Sequence, residues 1–285
     1  MLRLAFTSLF ALCLPVALPA QIVDHDDLDA VAALPQCALD AVGAQRWLFT
    51  HASVGGNLIE GLGDLHAAEP GRYRLATAWV GFDGDAGACD APPASPAAGT
   101  VYECNRGNPG WAEKLAIFER SVGDAGWHAP AVDVALDKLC YIDPDADPAV
   151  YLAAMDALAA AHPGTVFVHA TIPLTTDSGS DNVQRNLYNQ AVRAHCAASG
   201  EPLYDVADME AHDPAGVEQT FLSGGTTYQR LYSGYTSDGG HLDTELGHRR
   251  IALGWYAVAA TFAPCQVFND NFETRDTARW SATLP

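Results

Sequence analysis

The chain has 285 residues, of which 49% are hydrophobic, enough to bury the core of one large α/β domain or of two smaller ones. Its 35 acidic residues outnumber its 15 basic residues and leave a formal net charge of −20. This charge argues against a nucleic-acid partner or an anionic membrane surface, because both would repel the chain. Neutral and cationic substrates remain open.

The first twenty residues have the composition of a secretory signal peptide. A basic start at Arg3 precedes an apolar stretch from Leu4 to Ala20, which contains two prolines and ends in a small residue. A membrane anchor is the alternative, but the stretch is short and the prolines disfavour a spanning helix. The sequence therefore predicts a signal peptide over residues 1–20, a secreted or periplasmic protein, and no membrane insertion after signal removal.

After the signal peptide, strand and helix patterns alternate along the chain. Residues 21–44 form a predicted N-terminal arm, with the acidic stretch 24–29 in solvent, and a domain over 45–265 precedes a C-terminal tail over 266–285. The predicted elements of the domain are a strand over 46–50, helices over 57–67 and 111–122, a strand over 132–139, a helix over 147–161, a strand over 165–170, a helix over 183–199, a strand over 203–206 and a helix over 244–262. This alternation indicates βαβ units, and hence a three-layer α/β/α fold with a mainly parallel sheet.

The number of cysteines is consistent with an exported protein. Six of the seven lie after residue 20, an even number that suits an oxidising compartment. Cys89 and Cys104 flank a loop rich in proline, alanine and glycine, which a disulfide would stabilise by about 3 kcal/mol. We expect this pair to be bonded, and Cys37 with Cys265 to join the two ends of the domain. Cys140 is the best candidate for a buried free thiol.

Ser53 lies where the first predicted strand turns towards a helix, in a segment that reads THASVGGN over residues 50–57. In a parallel α/β sheet, ligands bind beyond the carboxyl ends of the strands, where the Ser53 hydroxyl would project. The first amides of the helix lack partners within the helix and carry the positive end of its dipole, so they can stabilise an oxyanion. The alternative is an ordinary helix N-cap, a position that serine favours.

A late loop supplies two further candidates, Asp238 and His241, just before the last helix. They are three positions apart with two glycines between them, which permits a tight turn. A carboxylate at this spacing can hold the Nδ1–H group of the imidazole and leave Nε2 free to take a proton from a serine. The alternative is a surface turn with an exposed histidine.

Together, these spaced motifs resemble the SGNH (GDSL-type) serine hydrolases. In that family the nucleophilic serine follows the first strand and a terminal D-x-x-H block supplies the other two triad residues, a pattern matched by Ser53, Asp238 and His241. The segment 105–111, which reads NRGNPGW, looks like the family's second block, whose glycine amide serves the oxyanion hole. The resemblance covers roughly residues 45–262 and is that of a divergent bacterial branch.

The resemblance implies a flavodoxin-like three-layer fold and a secreted serine esterase that needs no cofactor. Its implied nucleophile is Ser53, its general base His241, and Asp238 the carboxylate that orients the base. The amides of Ser53 and Gly110, with Asn108 nearby, are the implied oxyanion donors. The implied substrate is a small-molecule or glycan ester, short acyl groups on a neutral glycan being one case.

The chain departs from the family pattern at the third block. That block usually reads G-x-N-D and its Asn donates to the oxyanion, whereas residues 140–143 read CYID and place Ile142 at the Asn position. Losing one such donor costs about 3 kcal/mol of transition-state stabilisation. Asn108 and Asn57 are the nearest replacement donors in the motifs. The departure also supports an alternative, a catalytically impaired member that binds carbohydrate through the same cleft.

Three further residues are candidates for substrate binding: His51, Asn57 and His169. For His169 the alternative is a structural histidine. A different chemistry would use His51, Asp143, His169 and His241 as a hydrolytic metal site, because imidazole and carboxylate are common zinc ligands. Neither an H-x-x-x-H nor an H-E-x-x-H spacing supports that site. The sequence therefore predicts no metal.

Overall fold

The computed structural model describes residues 21–262. The predicted signal peptide, the predicted C-terminal tail and Cys265, with its predicted bond to Cys37, lie outside the described residues. Within residues 21–262, no helix combines the length and the apolar character needed to cross a bilayer.

The described strands are β1 (Ile22–Val23), β2 (Arg46–His51), β3 (Ala76–Trp79), β4 (Phe82–Asp83), β5 (Ala88–Cys89), β6 (Thr100–Asn105), β7 (Val134–Asp137), β8 (Val166–Ala170), β9 (Leu203–Tyr204), β10 (Thr220–Ser223) and β11 (Thr226–Gln229). The described α-helices are α1 (Leu28–Val31), α2 (Gln36–Val42), α3 (Val54–Ala68), α4 (Trp111–Gly123), α5 (Pro148–Ala161), α6 (Ser180–Ser199), α7 (Val206–Ala211) and α8 (Glu245–Thr261).

Seven strands form one parallel sheet in the order β1-β9-β8-β7-β2-β6-β3. Its inner strands are buried on both faces, as β2 shows: Trp47 and Phe49 contribute to one core cluster and Leu48 to the other. Helices α3 and α8 cover the first face together with α1, α2 and α7, while α4, α5 and α6 cover the second. The predicted three-layer α/β/α fold is therefore confirmed. Because β2 lies between β6 and β7, its carboxyl end opens at the middle of the sheet, where such folds bind ligands.

The acidic N-terminal stretch is not a solvated arm, and this prediction was wrong. Ile22 and Val23 form the edge strand β1, which pairs in parallel with β9. Leu28 and Val31 of the short helix α1 are each 1% exposed and belong to the core beneath α8. Apolar residues spaced among the aspartates therefore anchor the segment, although its net charge alone suggested solvent exposure.

The predicted disulfide between Cys89 and Cys104 is present and joins β5 to β6. Cys140 and Cys196 are free and buried. Cys140 lies in the loop after β7 rather than within the strand, because β7 ends at Asp137. That loop is one of those at the carboxyl edge of the sheet, next to the loop that carries Ser53.

Candidate active site

Ser53 has a strained backbone. Its φ of 54° and ψ of −116° make it the one non-glycine residue with positive φ in the range 21–262. Such a conformation costs on the order of 1–3 kcal/mol and is concentrated at functional sites. Although Ser53 occupies the N-cap position of α3, its side chain makes no capping hydrogen bond. The ordinary N-cap interpretation therefore does not account for this serine.

A close approach between β2 and α3 holds the Ser53 turn in place. Gly55 lies so near the strand that a Cβ atom on it would meet the Cβ of His51 at 2.4 Å. The His51 imidazole is itself fixed, since its Nε2 lies 2.7 Å from a carboxylate oxygen of Glu103 on β6. The first turn of α3 can therefore pack directly on the buried end of β2, which leaves Ser53 at the rim.

The Asp238–His241 loop is a compact turn built around the aspartate. Asp238 Oδ1 accepts hydrogen bonds from the backbone N–H groups of Gly240 and His241, at 2.9 and 2.8 Å. Asp238 Oδ2 lies 2.5 Å from His241 Nδ1. The bonds from the His241 backbone and side chain and from the Gly240 amide hold the pKa of Asp238 well below its usual range. Gly239, with φ of 91°, supplies the left-handed residue that the turn requires.

The Ser53 turn and the Asp238–His241 loop meet at the carboxyl edge of the sheet. Ser53 Oγ and His241 Nε2 lie 2.5 Å apart, although 188 positions separate the two residues in the chain. The imidazole therefore bridges a hydroxyl and a carboxylate, one on each nitrogen. The His241 side chain is 33% exposed and that of Asp238 50%, so the arrangement is open to solvent and to a substrate. An arrangement of this kind can transfer a proton from the serine to an oriented base.

Tyr141 is the neighbour of this group that sequence reasoning missed. Its hydroxyl lies near the side chain of Ser53, which influences the pKa of the phenol. Its ring packs edge-on against the His241 imidazole, with centroids 5.4 Å apart. Burial, above all, raises the pKa of the phenol, so the hydroxyl keeps its proton at neutral pH. In the sequence, the only indication of Tyr141 is that it precedes Ile142, the residue at the position of the missing Asn donor. Ile142 itself is 48% exposed.

Two buried ion pairs connect the loops around this group. Arg106, directly after β6, bonds to Asp137 at 2.6 Å, and both side chains are fully buried. Lys114 of α4 bonds to Asp143 at 2.5 Å in an equally buried position. Asp143 also accepts a hydrogen bond from the amide of Cys140, whose thiol contacts Ser53. The loops after β6 and β7 are thus held in a fixed relation, which sequence reasoning did not anticipate.

The predicted oxyanion residues other than Ser53 lie in the loop between β6 and α4. Gly110 is the N-cap residue of α4, and both it and Asn108 are exposed. Because β6 pairs with β2, this loop borders the same edge of the sheet as Ser53. Asn57 lies one turn further into α3, where its side-chain nitrogen is 3.5 Å from His248 Nε2 on α8.

Two predicted substrate-binding histidines occupy other positions. His51 is 2% exposed and stacks on Phe49, so it supports the serine turn from within the core. Burial, above all, lowers the pKa of His51 and favours the neutral ring. His169 is 1% exposed and its Nε2 lies 3.1 Å from Glu201. Both assignments to substrate binding are therefore corrected.

The hypothetical metal site of four residues does not form in the described part of the chain. His51 bonds to Glu103, Asp143 to Lys114, His169 to Glu201, and His241 to Asp238, so each is engaged with a different partner. His51 and His169 lie on β2 and β8, and Asp143 and His241 lie in two loops, so residue types that suit zinc do not share one site here.

Comparison with known proteins gave matches at the level of structure alone. No protein-family model and no curated protein sequence matches the chain. A GDSL-like lipase from Bacteroides thetaiotaomicron superposes with a TM-score of 0.47 at 11% identity, over 82% of this chain and 95% of that one. A protein described as an acylhydrolase from Bacteroides fragilis gives 0.46 at 12% identity, over 82% and 95%. A lipolytic protein of the G-D-S-L family from Desulfitobacterium hafniense gives 0.45 at 9% identity, over 75% and 99%.

Proposed function

We propose that this protein is a serine esterase of the SGNH type, which hydrolyses a carboxylic ester through Ser53, His241 and Asp238. The observation that carries the proposal is the chain of two 2.5 Å contacts from Ser53 Oγ through His241 to the Asp238 carboxylate. The strained backbone of Ser53 supports the proposal, because the surrounding fold maintains a costly conformation at the proposed nucleophile.

In the proposed reaction, His241 takes the proton of Ser53 as the hydroxyl oxygen bonds to the ester carbonyl carbon. The tetrahedral intermediate collapses when the C–O bond to the alcohol breaks, and His241 gives its proton to the leaving alcohol. Water, deprotonated by His241, then attacks the acyl carbon; the bond to Ser53 Oγ breaks, His241 returns the proton to Ser53, and the carboxylic acid leaves. Asp238 fixes the tautomer of the imidazole and stabilises the imidazolium throughout.

The oxyanion of the intermediate needs hydrogen-bond donors. We assign this role to the amides of Ser53 and Gly110 and to the hydroxyl of Tyr141, which replaces the side chain that Ile142 cannot provide. Tyr141 suits the role because its hydroxyl already lies near Ser53 and remains protonated. Asn108, exposed in the same loop as Gly110, is a further donor in this proposal.

The proposed substrate is a short acyl group carried on a neutral alcohol, such as a glycan. The net charge of −20 disfavours anionic substrates, and the partly exposed triad admits a bulky alcohol. We also propose that the protein acts outside the cytoplasm. The pattern of residues 1–20 and the Cys89–Cys104 disulfide support this location.

A short-chain aryl ester and a fluorophosphonate probe test the proposal together. We expect the wild-type protein to hydrolyse the ester and to be labelled, and Ser53→Ala to do neither, because only Ser53 is activated by His241. Ser180→Ala, at the exposed start of α6, is the matched control and should behave as wild type.

The outcomes separate the competing functions. A wild-type protein inert to both reagents contradicts the esterase and supports the carbohydrate-binding alternative. Hydrolysis that survives in Ser53→Ala but is lost on chelation and restored by zinc supports metal-dependent hydrolysis instead.

A further inference from the structure

Three donor atoms from three different segments, those of His169, His195 and Glu201, lie within 4.8 Å of one another beside α6, and a carboxylate of α5 lies next to them. His169 Nε2 on β8 and His195 Nε2 on α6 lie 3.1 and 3.0 Å from the same carboxylate oxygen of Glu201. His195 Nε2 also lies 3.1 Å from Asp156 Oδ1 on α5. We call these four residues the His169 cluster. None of them belongs to the proposed triad, and no local sequence motif joins them.

The spacing of His169, His195 and Glu201 suits three positions of a tetrahedral metal site. Ligands bound to zinc at about 2.0–2.1 Å are about 3.4 Å apart, and two imidazoles bound through Nε2 have ring centroids about 5 Å apart. The hydrogen-bonded donor pairs here are 3.0 to 3.1 Å apart, and the two rings are 5.4 Å apart with an interplanar angle of 56°. Binding through these three residues would need only a small expansion, and the exposed Asp156 carboxylate would swing inwards from its bond to His195 to supply the fourth ligand.

The charges and burial of the cluster also suit a cation. Two carboxylates face two imidazoles, and Glu201 lies between both rings. The His169 side chain is 2% exposed, which anchors one side of the cluster, while those of His195 and Glu201 are 23% and 28% exposed. The Asp156 side chain, 50% exposed, leaves the outer side open for entry of an ion.

A second group, formed by two histidines and a carboxylate, has a geometry that does not suit metal binding. His25 and His212 stack with centroids 3.4 Å apart and an interplanar angle of 5°, so the lone pairs in their ring planes run side by side and do not converge. His212 Nδ1 is engaged with the backbone oxygen of Asp208 at 2.8 Å. This group is therefore held by stacking and hydrogen bonds, and it provides a matched control.

We propose that His169, His195, Glu201 and Asp156 form a structural site for a divalent transition metal of the zinc class. A bound ion would join β8, α5, α6 and the segment before β9, and would stabilise that side of the sheet. Two imidazoles and two carboxylates are a donor set that zinc accepts and that calcium and magnesium, which prefer oxygen ligands alone, do not. The site goes beyond the proposed esterase, whose chemistry needs no metal.

The test uses protein freed of metal by chelation and then titrated with Zn²⁺ or Co²⁺. We expect one ion per chain, visible absorption typical of tetrahedral Co²⁺, and a rise in the thermal midpoint of about 5–10 °C at an excess of zinc near a hundredfold over Kd. His195→Ala, chosen because its side chain is partly exposed, should lose all three responses, and His212→Ala should keep them. Asp156→Asn should weaken binding without abolishing it.

Three results would overturn the site: wild-type protein that binds neither ion at one per chain, His195→Ala that binds as wild type, or binding lost in His212→Ala instead. Ester hydrolysis by the metal-free protein is measured in parallel. Because Ser53 and His241 lie outside the cluster, we expect that activity to persist in His195→Ala. Failure of the metal site and failure of the esterase proposal are thus separate observations.

Discussion

Ser53 combines a strained backbone with the side chain that we propose as the nucleophile. Its positive φ directs the hydroxyl away from the helix amides that a capping serine would bond and towards His241. The neighbouring Tyr141 then lies beside both partners, with its hydroxyl near Ser53 and its ring against His241. At this scale, the proposed function depends on a few atoms whose positions the surrounding loops maintain.

Replacing Tyr141 by phenylalanine tests the proposed third oxyanion donor. The change removes the hydroxyl and keeps the ring that packs on His241, so we expect kcat to fall about 100-fold with little change in KM. Steady-state kinetics on the short-chain aryl ester measures both constants. Tyr228→Phe, at a residue of β11 whose ring contacts Phe221, is the control and should be near wild type. A kcat for Tyr141→Phe within twofold of wild type would remove Tyr141 from the mechanism.

Helix α3 is positioned by contacts that its own sequence only partly explains. Its second residue, Gly55, lies against the His51 side chain, and further along the helix a Cβ on Gly61 would meet the backbone oxygen of His248 on α8 at 2.3 Å. Small residues at these points let the helix approach both β2 and α8. The N-terminus of α3 is thereby held beside Ser53, where it would stabilise the oxyanion of the tetrahedral intermediate.

Gly55→Ala should therefore disturb both stability and catalysis. An added Cβ would lie 2.4 Å from the Cβ of His51, and relieving this clash should cost about 1–3 kcal/mol in the free energy of unfolding. The shift of the turn should also lower kcat. Gly56→Ala is the control, because a Cβ there meets no atom within 4 Å and alanine is the better helix former. Denaturant unfolding measures the free energy of unfolding of the two variants. Equal values would contradict the packing argument.

At the scale of the whole molecule, charged groups buried beneath the site couple stability to pH. Glu210 of α7 is fully buried, and its Oε2 accepts a hydrogen bond from the amide of Leu174 at 2.7 Å. Desolvation raises the pKa of Glu210 to about 8, although Lys138 and Arg185 act in the opposite direction and Cys140 reinforces the rise. Between about pH 4.5 and about pH 8, the native protein therefore keeps a proton on Glu210 that the unfolded chain has lost.

This difference sets the sign of the pH dependence. The contribution of Glu210 to stability is fully present below its unfolded pKa, near 4.5, and is lost as the pH rises through about 8. We therefore expect the free energy of unfolding of the wild type, relative to Glu210→Gln, to fall between about pH 5 and about pH 8. Guanidinium unfolding of both proteins across this range measures it. Parallel stability curves would show that Glu210 does not titrate in this window.

Five helices of the domain and four strands of its parallel sheet were predictable because their apolar periodicity is local, whereas β3 and the short strands β4, β5, β10 and β11 were not predicted. The helices α4, α5 and α8 begin and end within a residue or two of the predicted bounds, since proline, glycine and polar caps mark their ends. β6, by contrast, was missed. Its strand carries Glu103 and Asn105, polar residues that become compatible with a central strand only because Glu103 meets His51 of β2.

The same distinction applies to the candidate site. Ser53, Asp238 and His241 were identifiable because a serine after a strand and a D-x-x-H loop before a helix are chemically distinctive patterns. Tyr141, Arg106 and the His169 cluster were not, since each acquires its role from a partner on another element. His51 shows the opposite error: a histidine at a strand end suggested a substrate contact, but the register of β2 with β6 places it beside Glu103.

The amino-acid sequence by itself determined the alternation of strands and helices, the parallel three-layer architecture and the chemical types at the two candidate loops. These follow from periodicity, from capping residues and from spacing within a few positions. Only the tertiary structure decided which atoms meet: that Ser53 reaches His241 across 188 positions, that Tyr141 lies beside both, and that His169, His195 and Glu201 gather beside α6. The physical reason is that these meetings depend on strand order, sheet register and close helix packing, which are set by contacts between distant segments and not by any segment alone.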